Sequence, residues 1–252
     1  GTTRTIREGL VYKDNNGKKA TATFVYNITF KTGASPIAYL TDIDYTEPTV
    51  TEGSMTAYRA TSIPVSVTVT QGETVESALT VSTVCTALNN LTNTYLTNAT
   101  YFKGYATSPT SGNYVYFYAL NGAPTATASS QGTMNYYQVE PVTDDADFSG
   151  QYVYYFDADG NCTDNLNKTR IKVAYDRANA KFTVKATNNC TAGTYTVYVG
   201  MLRRNTSNRN YVAYFPITVT VEGIPGEELN VERYPGLGYT STQGAVDFTD
   251  AK

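Results

Sequence analysis

Histidine and tryptophan are both missing from this chain of 252 residues. Without histidine it lacks the commonest general base and the commonest transition-metal ligand. Ser-His-Asp and Cys-His nucleophilic arrangements are therefore excluded. Charge is sparse at 16% of residues, with a net of −3. Lysines and arginines are scattered, so no basic patch of the kind that neutralises phosphates stands out, and no nucleic-acid partner is expected. There is no P-loop and no G-x-G-x-x-G, and Gly236-Leu237-Gly238 after Pro235 reads as a turn. No apolar run is long enough to span a membrane, and no stretch has the make-up of a signal peptide. Cysteine occurs only at 85, 162 and 190, never with C-x-x-C spacing. Cys162 and Cys190 share Asn-Cys-Thr contexts and could be bridged; the other reading leaves all three free and buried.

What the chain has in abundance is tyrosine, 23 in all, falling at alternate positions. Tyr114-Val115-Tyr116-Phe117-Tyr118, Tyr152-Val153-Tyr154-Tyr155-Phe156 and Tyr195-Thr196-Val197-Tyr198-Val199 each alternate with period 2. That period belongs to pleated strands, and Thr, Val and Tyr suit them. An N-terminal hairpin is expected, Thr5–Tyr12 and Ala20–Phe30 flanking Asp14-Asn15-Asn16-Gly17, since Asn-Gly supplies the positive φ of a tight turn. Short strands are expected around Ile37–Leu40 and Met55–Arg59. Ile63-Pro64-Val65-Ser66-Val67-Thr68-Val69-Thr70 reads as a strand whose proline places it at an edge or a start. Its wording recurs at Phe215-Pro216-Ile217-Thr218-Val219-Thr220-Val221.

Val81, Val84, Cys85, Leu88 and Leu91 form a helical stripe that Thr80 or Ser82 could cap and Asn89-Asn90 would stop. Further strands are expected near 114–119, 136–140, 151–156, 169–175, 181–186, 194–202 and 211–221. Closely spaced strands with short turns imply an antiparallel sandwich or barrel, and the expected fold is the antiparallel β-sandwich, immunoglobulin-like or related. The expected organisation is mainly β: a small β module over 1–60, a sandwich with one short α-helix over 61–225, and a C-terminal tail or strap over 226–252.

Three groups of residues are candidates for chemistry. In a strand Tyr114, Tyr116 and Tyr118 share one face, where their rings could stack sugars or peptide side chains; the alternative is cross-strand packing. Asp157, Asp159, Asn161 and Asp164 could offer oxygen ligands to Ca²⁺, although Gly160 stands at the fourth place of the loop where an EF-hand has its glycine at the sixth. The plainer reading is a turn that selects Asp, Gly and Asn for backbone reasons, with no cofactor at all. Glu140, Asp144, Asp145 and Asp147, like Asp42 and Asp44, are carboxylates of the type a glycosidase pairs as acid and base, or simply solvated loops. Arg203-Arg204 and Arg209 flank a polar hairpin loop. Seven N-x-[ST] triplets, at Asn27, Asn90, Asn98, Asn161, Asn167, Asn189 and Asn205, are what an Asn- and Thr-rich chain produces by chance.

The order of short motifs resembles that of uncharacterised domains from exported lipoproteins of gut Bacteroidetes. The motifs are Val65–Thr70, the Val81–Leu91 helix, Phe117-Tyr118-Ala119-Leu120, Phe156-Asp157-Ala158-Asp159-Gly160-Asn161, Gly193-Tyr195-Val197 and Val219–Val221. They cover about residues 61–222. Such domains often carry a Trp before the F-D turn, and this chain has none. The resemblance implies export, with display in the periplasm or on the outer surface of a Gram-negative cell. It implies no established activity. A start at Gly1 rather than Met reads as a cleavage scar or a trimmed end, compatible with a removed export signal, and a lipid anchor on a removed N-terminus could accompany it. The expected function is a non-enzymatic binding or adhesion module for a glycan or another surface protein. The alternatives are a structural or accessory domain of a lipoprotein assembly, and a glycan-active enzyme using carboxylates alone.

Overall fold

The computed structural model describes residues 50–223 throughout, with four backbone strand segments outside that span. The chain divides into two compact units, one of residues 48–224 and one of residues 1–47 with 225–252. In the second, β1 (Thr2–Lys13) and β2 (Lys19–Phe30) pair antiparallel, from Thr2 opposite Phe30 to Lys13 opposite Lys19. Glu232–Arg233 also pairs with Thr249–Asp250. The Asp14–Gly17 turn, the Ile37–Leu40 strand candidate, Asp42, Asp44, the remaining tail and Gly236–Gly238 lie outside the described residues.

The larger unit is a β-sandwich. One sheet runs β10 (Tyr152–Phe156), β11 (Ile171–Asp176), β12 (Lys181–Ala186) and β6 (Thr74–Ala78), all antiparallel. The facing sheet is built on the long hairpin of β13 (Gly193–Arg204) and β14 (Asn210–Glu222). On one side β13 pairs with β8 (Val115–Ala119), which carries the short β7 (Phe102–Lys103). On the other side, β4 (Arg59–Ser62) and β5 (Val65–Thr70) share β14 as partner.

Not all pairing is antiparallel: β4 and β5 run parallel to β14, and β7 runs parallel to β8. Ser62 pairs with Tyr214 and Val65 with Ile217, so the two proline-led runs that echo each other in sequence are neighbours in register. Val67 meets Val219 and Val69 meets Val221, all buried, so one side-chain pattern serves both members of a parallel ladder. The strand expected around Met55–Arg59 in an N-terminal module ending at 60 is β3 (Glu52–Ala57), which pairs instead into this unit with β9 (Gly132–Tyr137), while β4 across that boundary pairs with β14.

Between the two sheets lies a core of Val, Ile and Phe. Phe117, Phe182 and Phe215 meet at its centre, with ring centroids 6.2 Å and 4.9 Å apart for successive pairs. The β3–β9 ribbon forms a second buried cluster with the outer face of β8, β13 and β14, where Tyr116, Tyr118, Leu120, Met134, Tyr136 and Leu202 pack together. β8 is thus covered on both faces.

The helix α1 (Val81–Ala87) lies where the apolar stripe placed it, burying Val84 and Cys85. Thr80 is its N-cap residue but makes no side-chain cap bond. Asn89 and Asn90 end it with φ of 64° and 57°, a left-handed conformation that asparagine tolerates well. The Leu91 N–H then reaches back to the Cys85 carbonyl at 3.0 Å. A second helix, the single turn α2 (Thr94–Thr97), was not foreseen; only Leu96 is buried in it, too little for a periodic signal. No helix among the described residues is long and apolar enough to cross a membrane.

Candidate functional site

The tyrosine ladder does not form an exposed face. Tyr116 and Tyr118 are buried beneath the β3–β9 layer, and only Tyr114, 36% exposed, reaches solvent, with the Lys103 ammonium 5.8 Å from its ring centre. The hydroxyls show what these side chains do. Tyr118 donates to the Ala106 carbonyl at 2.7 Å, Tyr154 to that of Phe117 at 2.8 Å, and Tyr175 to that of Leu96 at 3.2 Å. Each ring fills the core while its polar end satisfies a carbonyl.

The Asp157 turn is likewise occupied with its own backbone. Asp157 Oδ1 accepts from the Asp159 and Asn161 N–H groups, both at 2.9 Å. Gly160 has φ of 84°, and a Cβ there would collide with the Thr196 carbonyl oxygen. Asn161 Oδ1 accepts from Tyr137 at 3.2 Å. Asp164 adds no hydrogen bond or ion pair to the turn, and no cluster of three or more metal-ligating His, Cys, Asp or Glu occurs among the described residues. Cys85, Cys162 and Cys190 are all free and buried. Burial, with Asp164 and Asp157 adding to it, pushes the Cys162 thiol up to about 12, which keeps it protonated and unreactive at neutral pH.

Of the acidic group, Asp145 and Asp147 are drawn into an ionic network on the four-stranded sheet. Lys172 Nζ lies 2.7 Å from Asp145 and 2.8 Å from Asp147, and Lys185 pairs with Asp147. Tyr155 donates to the same oxygen, Asp145 Oδ2, at 2.6 Å, while the Asp147 N–H donates to Oδ1 at 2.9 Å. Burial pushes the Asp145 carboxyl up, but the bonds from Lys172 and Tyr155 outweigh it and leave it below the usual range. Hydrogen bonds from Lys172 and Lys185 lower Asp147 as well. Both carboxylates stay ionised and paired, the opposite of what a general acid requires.

Accessible polar chemistry collects elsewhere, at the end of the sandwich where β4 and β14 meet α1. A groove of about 570 Å³ has Tyr58, Arg59 and Tyr211 on one side. Ser82, Thr83 and Thr86 of α1 and the amides of Asn89 and Asn90 form the other. Tyr58 and Tyr211 meet edge to face, 5.5 Å between centroids and 68° between planes. The Arg59 guanidinium lies 5.2 Å from the Tyr58 ring centre and donates to the Ala128 carbonyl at 2.6 Å.

Register sets this arrangement. Arg59 pairs with Tyr211 across the parallel ladder, and the Tyr58 N–H donates to the Asn210 carbonyl at 2.8 Å. Arg203 fixes the far wall by donating to the Leu88 and Asn89 carbonyls at 3.3 Å and 3.0 Å, and to the Gly112 carbonyl and Asn113 Oδ1. Burial lowers the Arg203 pKa from its usual value, but a guanidinium stays charged at any pH where the protein folds. The residues come from four stretches of chain, so no local motif announces them as a site; the sequence marks Ser82 and Asn89-Asn90 only as helix ends and Arg203-Arg204…Arg209 only as a polar loop. Compared with protein-family models, with curated proteins and with solved structures, the chain matches none.

Proposed function

We propose that the 48–224 unit is a non-enzymatic binding module for a carbohydrate, with the groove beside Tyr58 and Tyr211 as its contact surface. The observation that carries this reading is the pairing of a half-exposed tyrosine wall with a facing row of hydroxyls and amides. Sugar rings present C–H faces that stack on aromatics and hydroxyls that need directional partners, and such a groove offers both. Asn89 and Asn90 stand in left-handed backbone at the helix end, with the Asn89 carbonyl accepting from Arg203, so the fold sets where their backbone lies along the groove. The resemblance of the short motifs to those of exported lipoprotein domains is what supports display at the periplasmic or outer surface.

A glycan array probed with the intact chain tests the proposal. Binding should be retained in Tyr114→Ala and reduced at least tenfold in Tyr58→Ala, with the far-ultraviolet spectrum unchanged. No binding to any array member would favour the second reading, a structural or accessory domain. That reading draws on the tyrosine hydroxyls committed to internal carbonyls, which suit a rigid spacer.

A further inference from the structure

Tyr58 is a wall shared by two grooves. Beyond it lies a second, of about 420 Å³, lined by Met55, Thr56, Arg204, Asn208, Arg209 and Asn210 among others. Three arginines, Arg59, Arg204 and Arg209, line the two grooves, and no aspartate or glutamate lines either. None of the three has a carboxylate partner among the described residues. On the four-stranded sheet, by contrast, Lys172, Lys181 and Lys185 are each matched to one. A guanidinium carries five N–H donors. Arg204 uses one, Nε, on Asn208 Oδ1 at 3.2 Å, and Arg59 uses Nη1 on Ala128. The Arg209 guanidinium has only the face of Tyr58 beneath it, 4.3 Å from the ring centre, which holds the fork in place and leaves its edge free.

Asn210 also lines the second groove. Asn210 is 9% exposed and its Nδ2 donates to the Thr56 carbonyl at 2.7 Å, yet its Oδ1 is buried with no partner. The ligand that the unpaired arginines call for carries an anion.

We infer that this groove is an anion subsite and that the ligand of the Tyr58 surface is an acidic oligosaccharide, bearing uronate carboxylates or sulfate esters. The inference rests on the carbohydrate reading above and narrows it. One sugar stacks against the tyrosine wall beside Asn89 and Asn90. Its neighbour passes Tyr58 and sets its acidic group on Arg204 and Arg209, the fork geometry that favours arginine for planar anions.

The test is calorimetry on the intact chain with matched probes: oligogalacturonate and its methyl ester, and a sulfated oligosaccharide and its desulfated form. At least one acidic member should bind tenfold or more tighter than its neutral twin. That advantage should shrink as salt rises and vanish in R204Q/R209Q, with the neutral twin's affinity unchanged. Which pair shows the effect separates carboxylate from sulfate. Equal binding of acidic and neutral twins overturns the acidic-ligand inference while leaving the carbohydrate reading standing. Binding of no sugar overturns both. A single-stranded oligonucleotide that binds more tightly than every sugar overturns it in favour of a phosphate polymer. Because Arg209 is exposed, R209Q alone serves if the double variant melts early; it should lose at least half of the advantage on a logarithmic scale, and a full advantage retained there overturns the inference.

Discussion

Pro64 lies opposite Pro216 at the point where β14 passes from its pairing with β4 to its pairing with β5. The Ile63 N–H donates to the Tyr214 carbonyl at 2.8 Å, so the parallel ladder would next bring a residue 216 donor to the Ile63 carbonyl. Residue 216 is proline and has none. Pro64, one step out of phase, turns its own missing N–H toward the outer edge of the sheet. The ladder is interrupted on both sides at one level, and the edge that β4 and β5 present cannot template another strand across the break.

Replacing Pro64 with valine restores a donor on that edge. The expected result is a higher weight-average mass in light scattering than the parent chain shows at equal concentration. Stability should change by less than about 1 kcal/mol, because no partner inside the sheet is lost. An unchanged mass across a hundredfold concentration range would sink the edge argument.

Tyr118 and Tyr114 occupy the same strand region but should behave differently. Tyr118→Phe leaves the Ala106 carbonyl without its donor and should cost about 1–2 kcal/mol, whereas Tyr114→Ala should cost less than about 0.5 kcal/mol. Urea denaturation of the two variants distinguishes core packing from an exposed ladder. Similar losses in both would contradict the burial described for β8.

The Asp145–Asp147–Lys172–Lys185 network makes a prediction about acid. Both carboxylates have a folded pKa below the unfolded one, so the stability they contribute is present above the unfolded value near 3.8 and is lost as pH falls through the folded values. Lys172→Met should flatten that acid limb and, by leaving Asp145 buried without its cation, cost about 3 kcal/mol at pH 7. Thermal midpoints measured from pH 7 down to pH 2 give both quantities. An acid limb of unchanged depth in the variant would show that other groups govern it.

Gly160→Ala places a side chain against the Thr196 carbonyl and forces a positive φ on alanine. A loss of more than about 2 kcal/mol is expected in chemical denaturation. The same loss should appear with and without millimolar calcium if Asp157 serves the turn rather than an ion. Rescue of the variant by calcium would reverse that assignment.

The strands were legible because period 2 is a strong local signal. β10, β12, β13 and β14 lie within two residues of where alternation put them at either end. β6 escaped because Thr74-Val75-Glu76-Ser77-Ala78 is short and mostly polar. The third layer was not legible at all. Alternation tells which residues share a face of β8, but it cannot tell that β3 and β9 cover the face holding Tyr116 and Tyr118. Tyrosine is equally at home on a wetted sheet and beneath one, given a carbonyl for its hydroxyl. The groove was hidden for a different reason: Tyr58, Asn89 and Tyr211 come to line one groove only through the parallel pairing of β4 with β14 and the clamp made by Arg203. The echo of Pro64 in Pro216 was visible in the sequence, but that the two runs are partners follows only from the topology.

That parallel pairing also decides how this unit would carry load. Arg59 and Glu222 sit at opposite ends of the β4–β5 ladder with β14, so tension applied between them pulls the two neighbours along their length in opposite senses. Every hydrogen bond of the ladder is then stretched at once, in shear, where an antiparallel hairpin under the same pull would unzip one rung at a time. The break at the two prolines divides the ladder into two blocks, and the block from Val65 to Thr70, being longer, would be the last to slip.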